Sequence, residues 1–204
     1  MFSKKCCICG SSCIFFKNKK IEMKSYLCDE CEAKCSRFVN VENLKVSEIK
    51  AHIELMAKED KIYNEYFADG NSLVLYPNPP ILESIVFNDS VGLFAIRRKN
   101  ETAGKVADVF RYDEVESYIK FATTADNGQG IRVFKSDGLL IRFKNSHYAK
   151  DGVRIYMRSR ESEHDYVDEV INRFDHILGK VGDVECNEDK MVLFTHAADK
   201  LLSN

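Results

Sequence analysis

The sequence predicts an α+β protein built in parts: a small cysteine-held module, a connecting helix, then an antiparallel β-barrel or bent sheet capped by a C-terminal helix. Three observations predict it. Two Cys-x-x-Cys pairs, Cys6/Cys9 and Cys28/Cys31, stand near the N-terminus. Apolar residues then recur at helical spacing between Ser47 and Phe67. After Pro77, Pro79 and Pro80, short runs rich in Val, Ile, Phe and Tyr follow at strand length until helical spacing returns beyond Ser162.

The cysteine pairs come first in the chain and name their own chemistry. Eighteen residues separate them, a spacing that reads as a structural zinc site. Tetrahedral Zn²⁺ takes four thiolates at about 2.3 Å, and a two-residue gap lets one tight turn aim two sulfurs at one ion. Four protein ligands leave no coordination position for a substrate, so the expected zinc is structural. Redox dithiols and another thiophilic metal are the competing readings. A redox pair would open a helix in a βαβ unit, which the sequence lacks, and His52, His147, His164, His176 and His196 all lie away from the pairs, which argues against catalytic zinc. Cys7, Cys13 and Cys35 read as spare thiols or neighbours of the ligands, and Cys186 as a lone thiol.

Composition bounds the rest. An apolar fraction of 45% with 30% charged residues over 204 positions is that of an ordinary globular protein with a real core. No apolar run approaches the roughly 18 residues that span a bilayer, and no secretory signal opens the chain, so a cytoplasmic location is expected, where cysteine clusters serve metals more than disulfides. The net charge of -2 gives no global case for nucleic acid, but its distribution is uneven. Residues 1–40 hold eight basic and four acidic groups, 41–69 four and seven, 70–180 sixteen of each, and 181–204 two and five.

Residues 1–40 carry too few aliphatics to fold alone, so metal binding has to stabilise a zinc module there, with Lys17 to Lys20 at the tip of a hairpin between the ligand pairs. Residues 41–80 are the connecting helix, N-capped by Ser47 and carrying Ile49, Ile53 and Met56, followed by a proline-rich linker that bars helix and central strand. Residues 81–180 hold seven predicted strands: 81–87, 91–98, 106–112, 116–122, 131–135, 139–144 and 153–158. Asn88-Asp89 and Ser136-Asp137-Gly138 read as tight turns, and 125–130 and 145–152 as loops. A helix capped by Ser162, with Asp165 three residues on, carries Val167, Val170, Ile171, Phe174, Ile177 and Leu178 as one stripe and stops at Gly179. Residues 181–204 form a tail with a weaker helix over 188–202.

Lys5-Cys6-Cys7-Ile8-Cys9-Gly10, Lys20 and Tyr26-Leu27-Cys28-Asp29-Glu30-Cys31 resemble an uncharacterised zinc-ribbon-like domain at the N-terminus of bacterial and phage proteins. The likeness covers about 35 residues and implies ligands at Cys6, Cys9, Cys28 and Cys31; the extra Cys7 and Cys13 leave open which of Cys6 and Cys7 comes first. Seven antiparallel strands closed by one amphipathic helix is the element order of a pleckstrin-homology-like domain, and Phe110 to Tyr118 resembles a strand-turn-strand motif of the bacterial members. Together the resemblances imply a zinc module joined to a small binding domain, with no activity to inherit.

Arg132, Arg142, Arg154, Tyr156 and Arg158 are the candidate ligand or partner surface, against the simpler reading of a solvated outer face with Asp113, Glu114 and Glu116 nearby in sequence. No Gly-x-Ser-x-Gly elbow, phosphate loop or His-Glu-x-x-His motif supports catalysis. The expected function is therefore a non-catalytic interaction, adaptor or regulatory protein with a protein partner or self-association. A nucleic-acid-binding regulator is the first alternative and a hydrolase the second.

Overall fold

The computed structural model describes residues 4–13, 19–21, 25–68, 74–78, 83–98, 107–144, 152–158, 160, 162, 164–179 and 186–187. In chain order these hold β1 (Lys4–Lys5), β2 (Ser12–Cys13), β3 (Lys19–Lys20), β4 (Tyr26–Leu27), α1 (Asp29–Glu32) and α2 (Val46–Tyr66). The β-domain comes next, with β5 (Val74–Asn78), β6 (Glu83–Asn88), β7 (Leu93–Arg98), β8 (Asp108–Arg111), β9 (Val115–Asp126), β10 (Arg132–Phe143), β11 (Val153–Arg158), α3 (Tyr166–Leu178) and β12 (Cys186–Asn187). No described helix is long and apolar enough to cross a membrane.

The described strands form small sheets and no closed barrel. One four-stranded sheet runs β5-β6-β7-β8 and the other β11-β10-β9-β12, with two-stranded pairs β1-β2 and β3-β4 in the cysteine module. A 3-10 turn over Tyr112–Glu114 separates β8 from β9, which turns away to pair with β10. Both sheets face a common core: Phe87, Phe94 and Phe110 from the first, Leu139, Ile141 and Ile155 from the second, and Val167, Val170 and Phe174 from α3. The alternation predicted for the last strand holds, with Val153, Ile155 and Met157 buried in β11.

The predicted turn at Ser136-Asp137-Gly138 is wrong. These residues lie inside the single strand β10, which takes up register shifts between Phe134 and Ser136 and between Asp137 and Gly138. Turn chemistry is present, but a bulge uses it: Gly138 passes so close to β11 that a Cβ would meet the Ile155 carbonyl oxygen at 1.9 Å, and Asp137 is buried against Arg158. The linker begins later than the prolines suggest: Pro77 lies in β5, opposite Ser84, and among the described strands β5 is at the sheet edge, in keeping with the exclusion of proline from a central strand.

Cap chemistry shifts the helix limits. The Glu48 carboxylate accepts from the Lys45 backbone N–H at 2.7 Å, so α2 starts ahead of Ser47. Asp165, not Ser162, caps α3 by accepting from Val167 N at 3.0 Å, and Gly179 ends the helix with φ 64° as expected. Lys19–Lys20 pair with Tyr26–Leu27 as a strand and are no hairpin tip, while the helix expected over 188–202 lies outside the described residues.

Helix α2 spans the two halves of the fold. Near its start Ile49 packs with Leu27, Cys28, Cys31 and Val41 of the module. Near its end Phe67, Ile62 and Tyr63 pack on Val86, Ala95 and Val109, the face of the first sheet turned away from the main core. Two buried polar contacts lock it. His52 Nε2 accepts from Ser36 N at 3.0 Å, and Glu59 accepts from Val109 N at 3.2 Å, covering the edge of β8.

Candidate metal centre

The four cysteines are brought together by two different local devices. Cys6 comes directly after β1, and the chain reverses through Cys7 to Gly10, where Gly10 N donates to Cys6 O at 2.9 Å and Gly10 takes φ 76°. Cys28 leaves β4 as the N-cap of α1, and Cys31 sits inside that short helix, its N–H bonded to Cys28 O at 3.0 Å. An isolated bridge between Cys6 and Tyr26 draws the two devices alongside.

The result is four sulfurs all within 4.8 Å of one another, three from buried residues and one, Cys9, from an exposed residue. Ligands about 2.3 Å from a single tetrahedral ion stand about 3.8 Å apart. Cys9 Sγ and Cys28 Sγ are 3.6 Å apart, and Cys6, Cys9, Cys28 and Cys31 are all free thiols, so the donor set fits a four-coordinate thiophilic ion. Cys6, and not Cys7, joins the other three.

Electrostatics divide the thiols. Burial would raise Cys6, but the backbone amides of Cys9, Cys28 and Ile8 aimed at its sulfur outweigh it and hold the pKa at about 6. Burial, reinforced by the Cys28, Cys9 and Cys6 thiols, pushes Cys31 far above the ordinary thiol range. A divalent ion would take all four as thiolates and release protons in doing so. Cys35, whose thiol points to Cys31 O at 3.6 Å, is raised to about 11 by burial and is a packing residue. Cys186 lies in β12.

Residues 4–52 match a family described as a domain of unknown function (DUF4428). The matched span holds all four cysteines and ends at His52, the residue that fastens the module to α2. No curated protein and no solved structure matches the chain.

The five-residue surface predicted on the sheet does not assemble as one patch. Register puts Arg154 opposite Leu140 and Tyr156 opposite Gly138, and Arg142 two residues along from Leu140, so these three share the outer face of the second sheet. Arg158 leaves that face at the bulge. Its guanidinium bonds Asp137 Oδ2 through Nε at 2.8 Å and lies 3.4 Å from Asp165 of the α3 cap. Arg132 stands opposite Asp126 near the tip of the β9-β10 hairpin, beyond the bulges.

Sequence reasoning missed the buried polar ties. Lys120 bonds Asp165 and Asp168, each at 3.0 Å, which fixes the start of α3 on β9. The Asp165 carboxyl is subject to burial, which raises it, but Lys120 and the Val167 amide outweigh that and hold it below the usual carboxylate range. Spacing did carry a signal for His52 and Glu59: with Ile49 and Met56 they recur at three and four residues, on the buried stripe of α2.

Proposed function

We propose that this chain is a non-catalytic interaction protein, a cytoplasmic adaptor or regulator of bacterial or phage-encoded origin. In this reading a structural Zn²⁺ held by Cys6, Cys9, Cys28 and Cys31 makes the N-terminal module rigid, and a pleckstrin-homology-like β-domain offers the binding surface. The observation that carries it is the closed donor set, four thiol sulfurs within 4.8 Å of one another. Such a set fills a tetrahedral shell, so the ion supplies folding energy and leaves no position for a substrate. Seven antiparallel strands in two sheets with α3 across the core support the pleckstrin-homology-like reading of the second part. The balanced charge of residues 70–180 argues against strong binding to a phosphate backbone.

The test is purification under reducing conditions followed by capture from a bacterial lysate, with nuclease and at raised salt. One equivalent of zinc and a stoichiometric protein partner that survives both treatments are expected. Recovery of nucleic acid alone, lost steeply between roughly 50 and 200 mM salt as counterion release requires, would refute it in favour of a nucleic-acid-binding regulator.

A further inference from the structure

Helix α2 carries a second stripe beside the one that fastens it to the fold. Ile49, Met56 and Glu59 are buried, whereas Glu48, Ala51, Leu55 and Lys58 follow at spacings of three, four and three residues on the adjoining face. Leu55 is half-buried, yet among the described residues it is packed on none of the buried apolar clusters. A cleft of about 570 Å³ opens beside it, walled by Val39 and Leu44 from the approach to the helix and by Ala51 and Leu55 on it. Glu48 and Lys58 are the first and last α2 residues that line this cleft, about 15 Å apart along the helix axis.

The face is self-complementary. A two-fold axis perpendicular to α2 and passing beside position 53 sets a second copy of the helix antiparallel to the first. Ala51 then meets Leu55 of the second copy and Glu48 meets its Lys58, and the symmetry repeats both pairs, so each small residue faces a large one and each acid a base. Leu55 of each copy enters the other's cleft between Ala51 and Leu44, as a knob enters a hole in paired helices. Of the cleft's described acids and bases, Glu54 alone is left without an opposite partner. A parallel arrangement would set Glu48 on Glu48 and Lys58 on Lys58, so the charges select the antiparallel one.

We propose that α2 is a homodimerisation helix: two copies of this chain pair antiparallel through the cleft, Leu55 of each seated against Ala51 of the other and Glu48 of each against Lys58 of the other. The contact spans about three turns of helix, which places it among small interfaces below about 1,200 Å² and makes the expected dissociation constant micromolar. The dimer rests on α2 and is read in purified protein, so it holds or fails independently of the function proposed above.

Sedimentation velocity of the zinc-loaded, reduced full-length chain is expected to show a monomer–dimer equilibrium in the micromolar range. Leu55→Asp should weaken it by more than about tenfold, since it puts a charge into the apolar cleft of the other copy. Glu48→Lys and Lys58→Glu should each weaken it by setting like charges together. An equimolar mixture of these two variants should form a heterodimer of near-parental affinity, because both ion pairs are then remade with their signs exchanged. Glu48 also caps α2, but that loss is the same alone and in the mixture, so the comparison reads the interface. A parent that is monomeric throughout the micromolar range, a Leu55→Asp variant that dimerises as the parent does, or a mixture no tighter than its components would overturn the proposal. Should the variants fail to fold, carbodiimide coupling of the unaltered chain decides. It joins a carboxylate directly to an amine, which one helix cannot do between Glu48 and Lys58 at about 15 Å but can between Glu54 and Lys58 one turn apart. A Glu48–Lys58 crosslink in the dimer fraction is expected, and a Glu54–Lys58 crosslink without it refutes the pairing.

Discussion

Replacing Phe174 by Ala tests the layer on which the β-domain rests. Its ring is fully buried in α3 and touches three others: Phe87 at 5.2 Å and Phe94 at 5.3 Å, both edge-on, and Tyr118 at 5.1 Å, stacked. Two of those partners come from the first sheet and one from the second, so the cavity opens where all three layers meet. Loss of a buried phenyl group costs about 3 to 5 kcal/mol, including the unfilled cavity. The severed ring pairs, each about 0.5 to 1.5 kcal/mol, place this site toward the upper part of that range. Alanine is the better helix former, so helix propensity cannot account for a loss. With a urea slope of about 2 kcal/mol/M, a cost of about 4 kcal/mol lowers the unfolding midpoint by about 2 M. The assay is urea titration followed by circular dichroism with zinc kept saturating. Ile177→Ala on the same helix is the control: Ile177 is only half-buried, and its shift should be less than half as large. A Phe174→Ala midpoint within about 0.5 M of the parent, or equal shifts for the two variants, would refute the packing argument.

Three further outcomes are expected. Elemental analysis should find one zinc per chain and less than half an equivalent in Cys28→Ser, while chelation should expose the amides of residues 4–35 to exchange before those of β9 and β10, since metal binding supplies on the order of 10 kcal/mol to such modules. Gly138→Ala should lower the melting temperature far more than Gly128→Ala, because a Cβ at 138 meets the Ile155 carbonyl oxygen at 1.9 Å whereas at 128 it meets nothing within 4 Å. Asp165→Asn should flatten the acid limb of the stability curve. Asp165 has a lowered folded pKa, so its contribution is complete above the unfolded value and disappears as pH falls through the folded one, and asparagine retains the cap without the charge. Asp137 works in the opposite sense, since burial, only partly offset by Arg158, raises its pKa and its ionisation costs stability until pH falls. An Asp165→Asn curve parallel to the parent between pH 5 and 3 would refute the assignment.

Patterns that depend on neighbours in sequence were legible from the start. The Cys-x-x-Cys spacing placed all four members of the thiol cluster, since a two-residue gap constrains a local turn whatever surrounds it. Strict alternation located β11 and a helical stripe located α3, because burial of one face imposes its period on the residues. Tertiary structure decided between the neighbours Cys6 and Cys7: Cys6 is buried with its sulfur within 4.8 Å of the other three, and Cys7 is not part of that cluster. It also decided that Asp137-Gly138 is a bulge and not a turn, because the same residues serve either until a neighbouring strand passes 1.9 Å from where a Cβ would be. The fate of the arginines was decided there too. Arg154 and Arg158 alternate identically in sequence, yet the bulge carries one into an ion pair with Asp137 and leaves the other on the outer face, a difference set by register across strands that no single strand encodes.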